Sequence, residues 1–410
     1  MRHQSHRTMS VAQRRVTVCN RGQPAAPGID KGQISRMAAA DSGRCSRHLT
    51  AMTDSRRLSP FTDLAAVEAW DAWFRWREQA DLRDFSIEDT WGRVAGALVA
   101  AEAPDEASLW KSRLIEAFAS WRLLPDEHLL ASAGTNAAGW PGHALSASLN
   151  AAAFVIATCD IQTRIDHVAV MACAQLAVRM LDNALRITGA AVPHLRIGIV
   201  GMADALLLLG LDYDSDRGRR ESGAFVAALC EGCLRGNILL AHERGASRAD
   251  IREALARASR RNFDPELLRD AECHGLRHAS LTAVTSQPRL ALLANDVADA
   301  VDPLLGENHA HVIAAADGQC TVCSSGYALN ILRAQGGDPD DTPGMLANLP
   351  WTAQIAMRAA LQPWMDEPIT YPLLATNDLG DSQRLEARKL AAAHGLCEPV
   401  WRAAARSQRA

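Results

Sequence analysis

Residues 195–215 read LRIGIVGMADALLLLGLDYDS, and this stretch is the most informative part of the chain for the fold. Gly198 and Gly201 are three residues apart. Glycines at such a spacing let the backbone approach another segment closely or make a left-handed turn, because a Cβ atom would block both. A helix that carries Leu206, Leu207 and Leu209 is predicted to follow. The stretch therefore predicts a glycine-containing segment that leads into an apolar helix.

Further helices are predicted on both sides of this stretch. Downstream, residues 225–240 have a helical pattern. Upstream, a long helix is predicted to end before Gly189 and Pro193, with one apolar face made of Ile165, Val168, Ala172, Leu176 and Met180. The short apolar run at 151–158 is consistent with a buried strand. The body of the chain is thus predicted to be mainly helical with a few short strands.

The N-terminal part of this body has its own helical pattern. One helical face is aromatic and apolar, with Val67, Trp70, Trp73 and Phe74. Ser86 followed by Asp89 three residues later is typical of a helix start. Another helix is predicted from 107 to 121, stopping at Pro125, because proline has no amide proton. The small, Gly-rich residues 131–147 then indicate a loop or a junction, so two antiparallel helices are the simplest prediction before it.

The first 51 residues differ from the rest in charge. They hold nine basic residues and two acidic ones, a net charge of +7, so residues 52–410 carry −11. The segment is rich in Arg and Ser without a sustained apolar period, which fits a disordered tail or, superficially, an organellar transit peptide. The alternative is that Met52 is the true start and the preceding residues are upstream sequence translated in error. We favour that alternative, because such a segment has no face to bury.

Composition excludes several classes of function. Apolar residues make up 48% of the chain and charged residues 22%, as in an ordinary globular protein. A net charge of −4 gives no general attraction to nucleic acid or to an anionic membrane, so neither partner is expected. The most apolar runs are shorter than the roughly 20 residues that a membrane-spanning helix needs. Ten dispersed cysteines without a secretory signal indicate reduced thiols in the cytoplasm.

The stretch at 195–215 resembles a signature of ribonucleotide reductase large chains, most closely of the adenosylcobalamin-dependent kind. Five other segments resemble the same family in the same order along the chain: residues 121–135, 148–155, 274–281, 299–304 and 357–378. The resemblance covers roughly residues 86–135 and 148–405. On these segments the structural motif of the family falls on Gly198, Gly201, Asp204, Arg277, Asp302 and Pro303.

The resemblance implies a fold and an activity. The fold would be mainly α with some α/β, with an N-terminal helical domain at 61–135 and a truncated remnant of the family's ten-stranded α/β barrel at 148–405. The activity would be reduction of ribonucleotides for deoxyribonucleotide biosynthesis and DNA replication, with adenosylcobalamin as cofactor. A nucleotide, a full-length reductase chain and a second copy of this chain are the partners that such a relative would have.

Where the sequence departs from the family, the catalytic parts are missing. Relatives carry an Asn-x-Cys-x-Glu finger loop, whose cysteine becomes a thiyl radical and whose glutamate acts as a general base. No Asn-x-Cys-x-Glu occurs in this chain. The family's redox cysteine before the segment at 148–155 would fall near Ala144, and no cysteine lies between Cys45 and Cys159. The sequence therefore predicts no catalytic residues, and no cobalamin unless the family activity is retained.

The phosphate-binding loop of the family has also changed. Relatives read Pro-Thr-Gly-Thr-x-Ser there, whereas residues 284–289 of this chain read VTSQPR. The glycine is lost, and Pro288 lacks an amide donor. Thr285, Ser286 and Arg289 could still hold an anion. The alternative is that these polar residues cap or solvate a helix start.

No metal site is predicted from the sequence. Cys230 and Cys233 lie one turn apart in a helical run, where free cysteines behave as small hydrophobic residues. Cys320 and Cys323 fall in a loop-like segment and could form a reactive dithiol. The pair His309-Ala310-His311 is spaced for one face of a strand, but two histidines without further ligands are more often surface polar residues.

Two functional classes follow from these observations. One is an active reductase, with displaced thiols or with a partner chain that supplies the missing half. The other, which we favour, is a pseudoenzyme of the reductase family that binds a nucleotide or a partner protein. The missing radical cysteine decides between them, because Ala and Gly side chains cannot carry out radical chemistry.

We predict that the first 51 residues add nothing to stability. Thermal unfolding of the full chain and of a chain that begins at Met52 should give the same midpoint, because the removed segment has no apolar face to bury. A loss of several degrees on trimming would contradict this.

Overall fold

The computed structural model describes residues 60–79, 81–137, 139–140, 145–157, 162–190, 194–247, 251–315, 318–337, 342, 344–375 and 379–404. The predicted tail at 1–51, Met52 and Ala144 lie outside the described residues.

The described elements are mostly helices. They are α1 Leu64–Trp73, α2 Ile87–Leu98, α3 Ala107–Ala119, α4 Glu127–Ser132, α5 His167–Thr188, α6 Met202–Leu208, α7 Asp216–Arg244, α8 Arg252–Arg260, α9 Pro265–His274, α10 Pro288–Leu293, α11 Tyr327–Ala334, α12 Trp351–Leu361 and α13 Asp381–Ala393. The strands are β1 Arg77–Glu78, β2 Asp81–Leu82, β3 Leu123–Pro125, β4 Ser146–Asn150, β5 Val155–Ala157, β6 Thr163–Ile165, β7 His194–Val200, β8 Ser280–Thr282, β9 His309–Ala315, β10 Gly318–Ser324, β11 Leu373–Ala375 and β12 Trp401–Ala403.

A four-stranded sheet in the order β3-β4-β7-β8 lies at the centre. β4 and β7 are parallel, with Ser146 opposite Arg196 and Asn150 opposite Val200, and β8 is parallel to β7 on the other side. β3 pairs antiparallel with β4. Within the described residues this sheet does not close into a barrel. The prediction of a mainly helical fold with a smaller α/β part is therefore confirmed.

Gly198 and Gly201 act in the two ways that their spacing predicted. Gly198 lies within β7, and a Cβ atom there would come within 2.5 Å of the Ala283 carbonyl oxygen, so glycine permits close strand packing. Gly201 has a positive φ of 69° and is the residue before α6. A Cβ on Gly201 would lie 2.4 Å from Asn150 Oδ1. The turn from β7 into α6 therefore requires a glycine.

Helices α5 and α7 are long enough and apolar enough to cross a membrane. However, 67% and 72% of their most apolar stretches are buried within the fold, as expected for core helices of a globular protein. They pack against each other so closely that a Cβ on Gly232 would come within 2.4 Å of the Met171 carbonyl oxygen. One hydrophobic cluster extends from Trp91 and Leu114 in the N-terminal segment to Phe225 in α7. Residues 61–135 therefore share a core with the rest of the body.

The sequence interpretation was correct for the helix caps and wrong for some strands. Asp89 accepts a hydrogen bond from the Ser86 N–H at 2.9 Å in a capping box, and Gly189 ends α5 with a positive φ of 68°. The strand predicted at 151–158 is confirmed only at Val155–Ala157, which form β5 and are not buried, because residues 151–154 form a 3₁₀ turn and the buried strand is β4. Pro125 ends a short strand, at an edge of the sheet, where its missing amide proton costs no ladder bond.

We predict that Gly232→Ala destabilises the fold by about 1–3 kcal/mol, because the added methyl group overpacks the contact between α7 and the backbone of α5. Gly223→Ala in the same helix should be neutral or stabilising by up to about 1 kcal/mol, since its nearest neighbour would be 4.0 Å away and alanine favours a helix. Urea unfolding of both variants measures the difference. Equal free energies of unfolding would contradict the proposed close contact.

Candidate functional site

The carboxylate of Asp204 organises the region that follows the β7 turn. It lies in α6 and is fully buried. Its Oδ2 accepts a hydrogen bond from the Ala298 N–H at 2.6 Å, and its Oδ1 accepts one from the Ala328 N–H at 3.1 Å. Burial raises the pKa of Asp204 to about 6, although both backbone bonds oppose this shift. The motif that begins at residue 195 thus fixes two distant segments through one side chain.

The first of these segments is the loop between α10 and β9. Asn295, Asp296 and Ala300 have positive φ angles of 66°, 58° and 50°, a conformation that asparagine and aspartate tolerate better than most residues. The Ala298 carbonyl accepts a hydrogen bond from the Gly201 N–H at 2.7 Å. Together with the Asp204 bond, this contact holds the loop against the end of β7 and directs its acidic side chains into one cavity.

The segment that resembles a phosphate loop bonds to a carboxylate of this chain. Asp299 accepts hydrogen bonds from Ser286 Oγ at 2.5 Å and from the Gln287 N–H at 2.6 Å. Burial raises the pKa of Asp299, and these two donors oppose the shift. Thr285 Oγ1 accepts a bond from Gln287 Nε2 at 3.1 Å. The Asp299 carboxylate therefore occupies hydrogen-bond donors that a substrate phosphate would need.

Arg289, the third residue predicted in this loop, points elsewhere. Its guanidinium lies 3.3 Å from Glu127 Oε2 and 5.0 Å from the centre of the Trp73 ring, and its side chain is half exposed. The structure thus places Thr285 and Ser286 together and Arg289 apart from them.

Asp302 and Pro303 lie beside the loop. A carboxylate oxygen of Asp302 is 3.2 Å from Arg402, and its other oxygen is 3.5 Å from Arg358. Burial nevertheless raises the pKa of Asp302 to about 7. Pro303 lines the same cavity of about 260 Å³, into which Asp296, Asp299 and Asp302 also face.

Arg277 belongs to another part of the molecule. Its Nε donates to Asp182 Oδ1 at 2.9 Å, and the same carboxylate oxygen lies 3.0 Å from His278 Nε2. Arg244 binds the other oxygen of Asp182 and also reaches Glu102. Arg277 therefore joins the segment between α9 and β8 to α5, in a buried ion network that also includes Arg244 of α7, and it does not line the cavity.

The two histidines predicted as surface residues are correctly placed on one face of a strand, β9, but His309 is buried. The prediction that they lack a further ligand is wrong. His309 Nε2 lies 2.9 Å from Asp296 Oδ2, and His311 Nε2 lies 2.9 Å from Asp296 Oδ1. All three residues line the 260 Å³ cavity. No sequence pattern indicates this cluster, because Asp296 is in a different element and has no regular spacing to the histidines.

Imidazoles are the groups nearest the Asp296 carboxylate. Burial favours the neutral form of Asp296, but contacts with His309 and His311 outweigh it and hold the pKa of that carboxyl below its usual value. The pKa of His309 is raised, because contact with Asp296 outweighs the opposing effect of burial. Asp296 is therefore the anionic group at this end of the cavity.

The cysteine pairs lie away from these groups. Cys230 and Cys233 are buried in α7, as predicted, and burial raises the pKa of Cys230 to about 12. Cys320 and Cys323 lie in β10, so the predicted loop is wrong. Residues three apart on a strand point to opposite faces, which separates the two exposed thiols.

A second cavity, of about 470 Å³, lies between α3, α5 and α7. It is lined by Trp110, whose ring is 3.9 Å from the Arg179 guanidinium and 4.7 Å from that of Arg113. None of the site residues predicted from the sequence lines it.

Comparison with known proteins supports the resemblance. The family model of the ribonucleotide reductase barrel domain matches residues 145–312. The matched range contains strands β4, β7 and β8 of the four-stranded sheet and the loop that carries Asp296 and Asp299. No curated protein matches the chain. The match confirms the resemblance to the ribonucleotide reductase large chain.

We predict that Asp204 makes stability depend on pH. Its pKa rises from 3.8 to about 6 on folding, so the stabilisation from its bound proton is present at low pH and is lost as pH rises through about 6. Asp204→Asn should remove this part of the slope. It should also lower stability by about 1–3 kcal/mol, because one acceptor oxygen is lost.

Urea unfolding at a series of pH values measures both effects. The exposed Asp105→Asn is the matched control and should leave the wild-type slope unchanged. An Asp204→Asn protein with the wild-type slope between pH 4 and 6 would contradict the assignment.

Proposed function

We propose, from the match to the ribonucleotide reductase barrel domain, that this chain is a relative of the reductase large chain that does not reduce ribonucleotides by itself. Its barrel would be a truncated remnant that retains the parallel strands β4, β7 and β8. Its role would be to associate with a full-length reductase chain or with a second copy of itself.

The observation that carries the proposal is the position of Asp299. Its buried carboxylate accepts hydrogen bonds from the Ser286 hydroxyl and the Gln287 amide, two of the donors that a phosphate in this loop would need. A phosphate placed there would meet Asp299 and the nearby Asp302 at close range. Like charges in a partly buried site repel strongly, because water screens them poorly. We therefore propose that the loop does not bind the phosphate of a nucleotide substrate.

The thiols give a second argument. Ribonucleotide reduction consumes two electrons from a dithiol. Cys230 and Cys233 are held as neutral thiols by burial, and the thiolate is the reactive form. Cys320 and Cys323 lie on opposite faces of β10 and do not face the cavity.

Adenosylcobalamin would also lack a cysteine to react with in the 260 Å³ cavity. Bound cobalamin would supply a radical, which must pass to a cysteine beside the substrate. No described residue that lines the 260 Å³ cavity is a cysteine. We propose no role for cobalamin in this chain.

A partner chain could complete the barrel only at a free sheet edge. The edge of β8 is covered, because Asp366 Oδ2 accepts hydrogen bonds from the Leu281 and Thr282 amides, and the Asp366 N–H donates to the Thr282 carbonyl. We therefore propose that any partner docks without extending the sheet at β8. An active reductase formed with a partner remains the second candidate, supported by the family match alone.

We predict that the isolated protein forms no deoxyribonucleotide. The test incubates it with adenosylcobalamin, a dithiol reductant and each of the four ribonucleoside di- and triphosphates. Groups that act as a unit are strongly non-additive, so loss of the radical cysteine alone should remove essentially all turnover.

The control is the heat-treated protein, and product must be measured directly by chromatography. Product above this control, abolished by Cys320→Ser or Cys323→Ser, would overturn the proposal. A mixture with an intact reductase chain tests the second candidate, which predicts turnover above that of the intact chain alone.

A further inference from the structure

Asp296, His309 and His311 form a cluster that the proposed function does not use. One ring nitrogen of each imidazole and one carboxylate oxygen lie within 4.8 Å of one another. They come from two elements that are brought together by the packing of β9 against the loop after α10. The cluster lines the 260 Å³ cavity, which gives it a route to solvent.

The carboxylate of Asp296 is over nine-tenths buried, at 7% exposure. Within the described residues its ionic contacts are to the two imidazoles, and no lysine or arginine reaches it. Asp299 and Asp302, by comparison, have hydrogen-bond donors or guanidinium groups beside them. A buried carboxylate without a cation costs several kcal/mol, so a positive charge is required at this point.

Hydrogen bonds within the cluster do not supply that charge compensation. Each N···O separation is 2.9 Å, yet among the described residues Asp296 Oδ2 and His311 Nε2 have no partner in hydrogen-bonding geometry. Both atoms are buried. These two buried atoms therefore face a neighbouring polar atom without a hydrogen bond, as ligand atoms around a common ion do.

His309 is oriented as a metal ligand would be. Its Nδ1 lies 2.8 Å from the Gly306 carbonyl oxygen. A carbonyl only accepts, so Nδ1 carries the proton and Nε2 of the neutral ring has a free lone pair facing Asp296. Backbone carbonyls fix metal-binding histidines in this way in many proteins.

We propose that Asp296, His309 and His311 bind a divalent first-row transition-metal ion such as Zn²⁺. Two imidazoles and one carboxylate suit Zn²⁺ or Fe²⁺ and leave coordination positions open toward the cavity. Ligand atoms about 2.1 Å from one zinc ion are roughly 3–3.5 Å apart, so the 2.9 Å separations need only a small adjustment.

The test is equilibrium dialysis of the chelator-treated full chain against Zn²⁺, with metal content measured by mass spectrometry. One zinc per chain is expected. Asp296→Asn and His311→Gln should each weaken binding at least about 10-fold, and zinc should raise the thermal midpoint of the wild type but not of these variants.

His242→Gln is the matched control. His242 and His274 form a similar ring pair, with centroids 5.1 Å apart against 4.8 Å for His309 and His311, but among the described residues no third ligand group joins them. This variant should bind zinc like the wild type. Cys320→Ser should do so as well, which separates the site from the exposed thiols.

Substitution by Co²⁺ gives a second measurement. The wild type should show visible absorption from a nitrogen and oxygen ligand field without the charge-transfer band of a thiolate. If Asp296→Asn fails to fold, His311→Gln alone is used for the test, because the His311 side chain is more exposed than that of Asp296.

Less than about 0.2 zinc per chain in the wild type, or full binding by a folded His311→Gln, would overturn the proposal. A loss of stability in the variants that is equal with and without Zn²⁺ would also overturn it, because it would show that the cluster is an ion pair of protonated histidines.

Discussion

The rest of the candidate site depends on one buried carboxylate, that of Asp204. It binds the amides of Ala298 and Ala328, which are 94 and 124 residues away in sequence. These two bonds fix the loop after α10 and the start of α11. Gly201 is needed beside it, because only a residue without Cβ fits the turn against Asn150. A local motif thereby determines the position of acidic side chains that lie far along the chain.

Electrostatics distinguish this cavity from a phosphate site. A phosphate loop offers backbone and hydroxyl donors to an external anion. Here the donors of Ser286 and Gln287 are used by Asp299, and two further carboxylates face the same space. Arg358 and Arg402 compensate Asp302, while Asp296 has imidazoles beside it. The cavity is therefore suited to a cation at one end, although the surrounding fold resembles a nucleotide-reducing enzyme.

The helical part of the fold could be predicted because its signals are local. The cap at Ser86 and the end of α5 at Gly189 were recognised from neighbouring residues. Strands were harder to place. The run at 151–158 is apolar enough for a strand, but a 3₁₀ turn follows β4 there, and pairing with β7 selects residues 146–150 instead. Cys320 and Cys323 were assigned to a loop, because an exposed two-stranded hairpin has no strong apolar alternation.

The sequence by itself determined the family resemblance, the glycine turn at 198–201 and the absence of an Asn-x-Cys-x-Glu loop, because each is a property of consecutive residues. Only the tertiary structure decided what the polar residues do. It placed Asp299 on the phosphate-like loop, turned Arg289 toward Glu127 and brought Asp296 between two histidines. These contacts join separate elements, and their distances follow from how those elements pack rather than from any spacing along the chain.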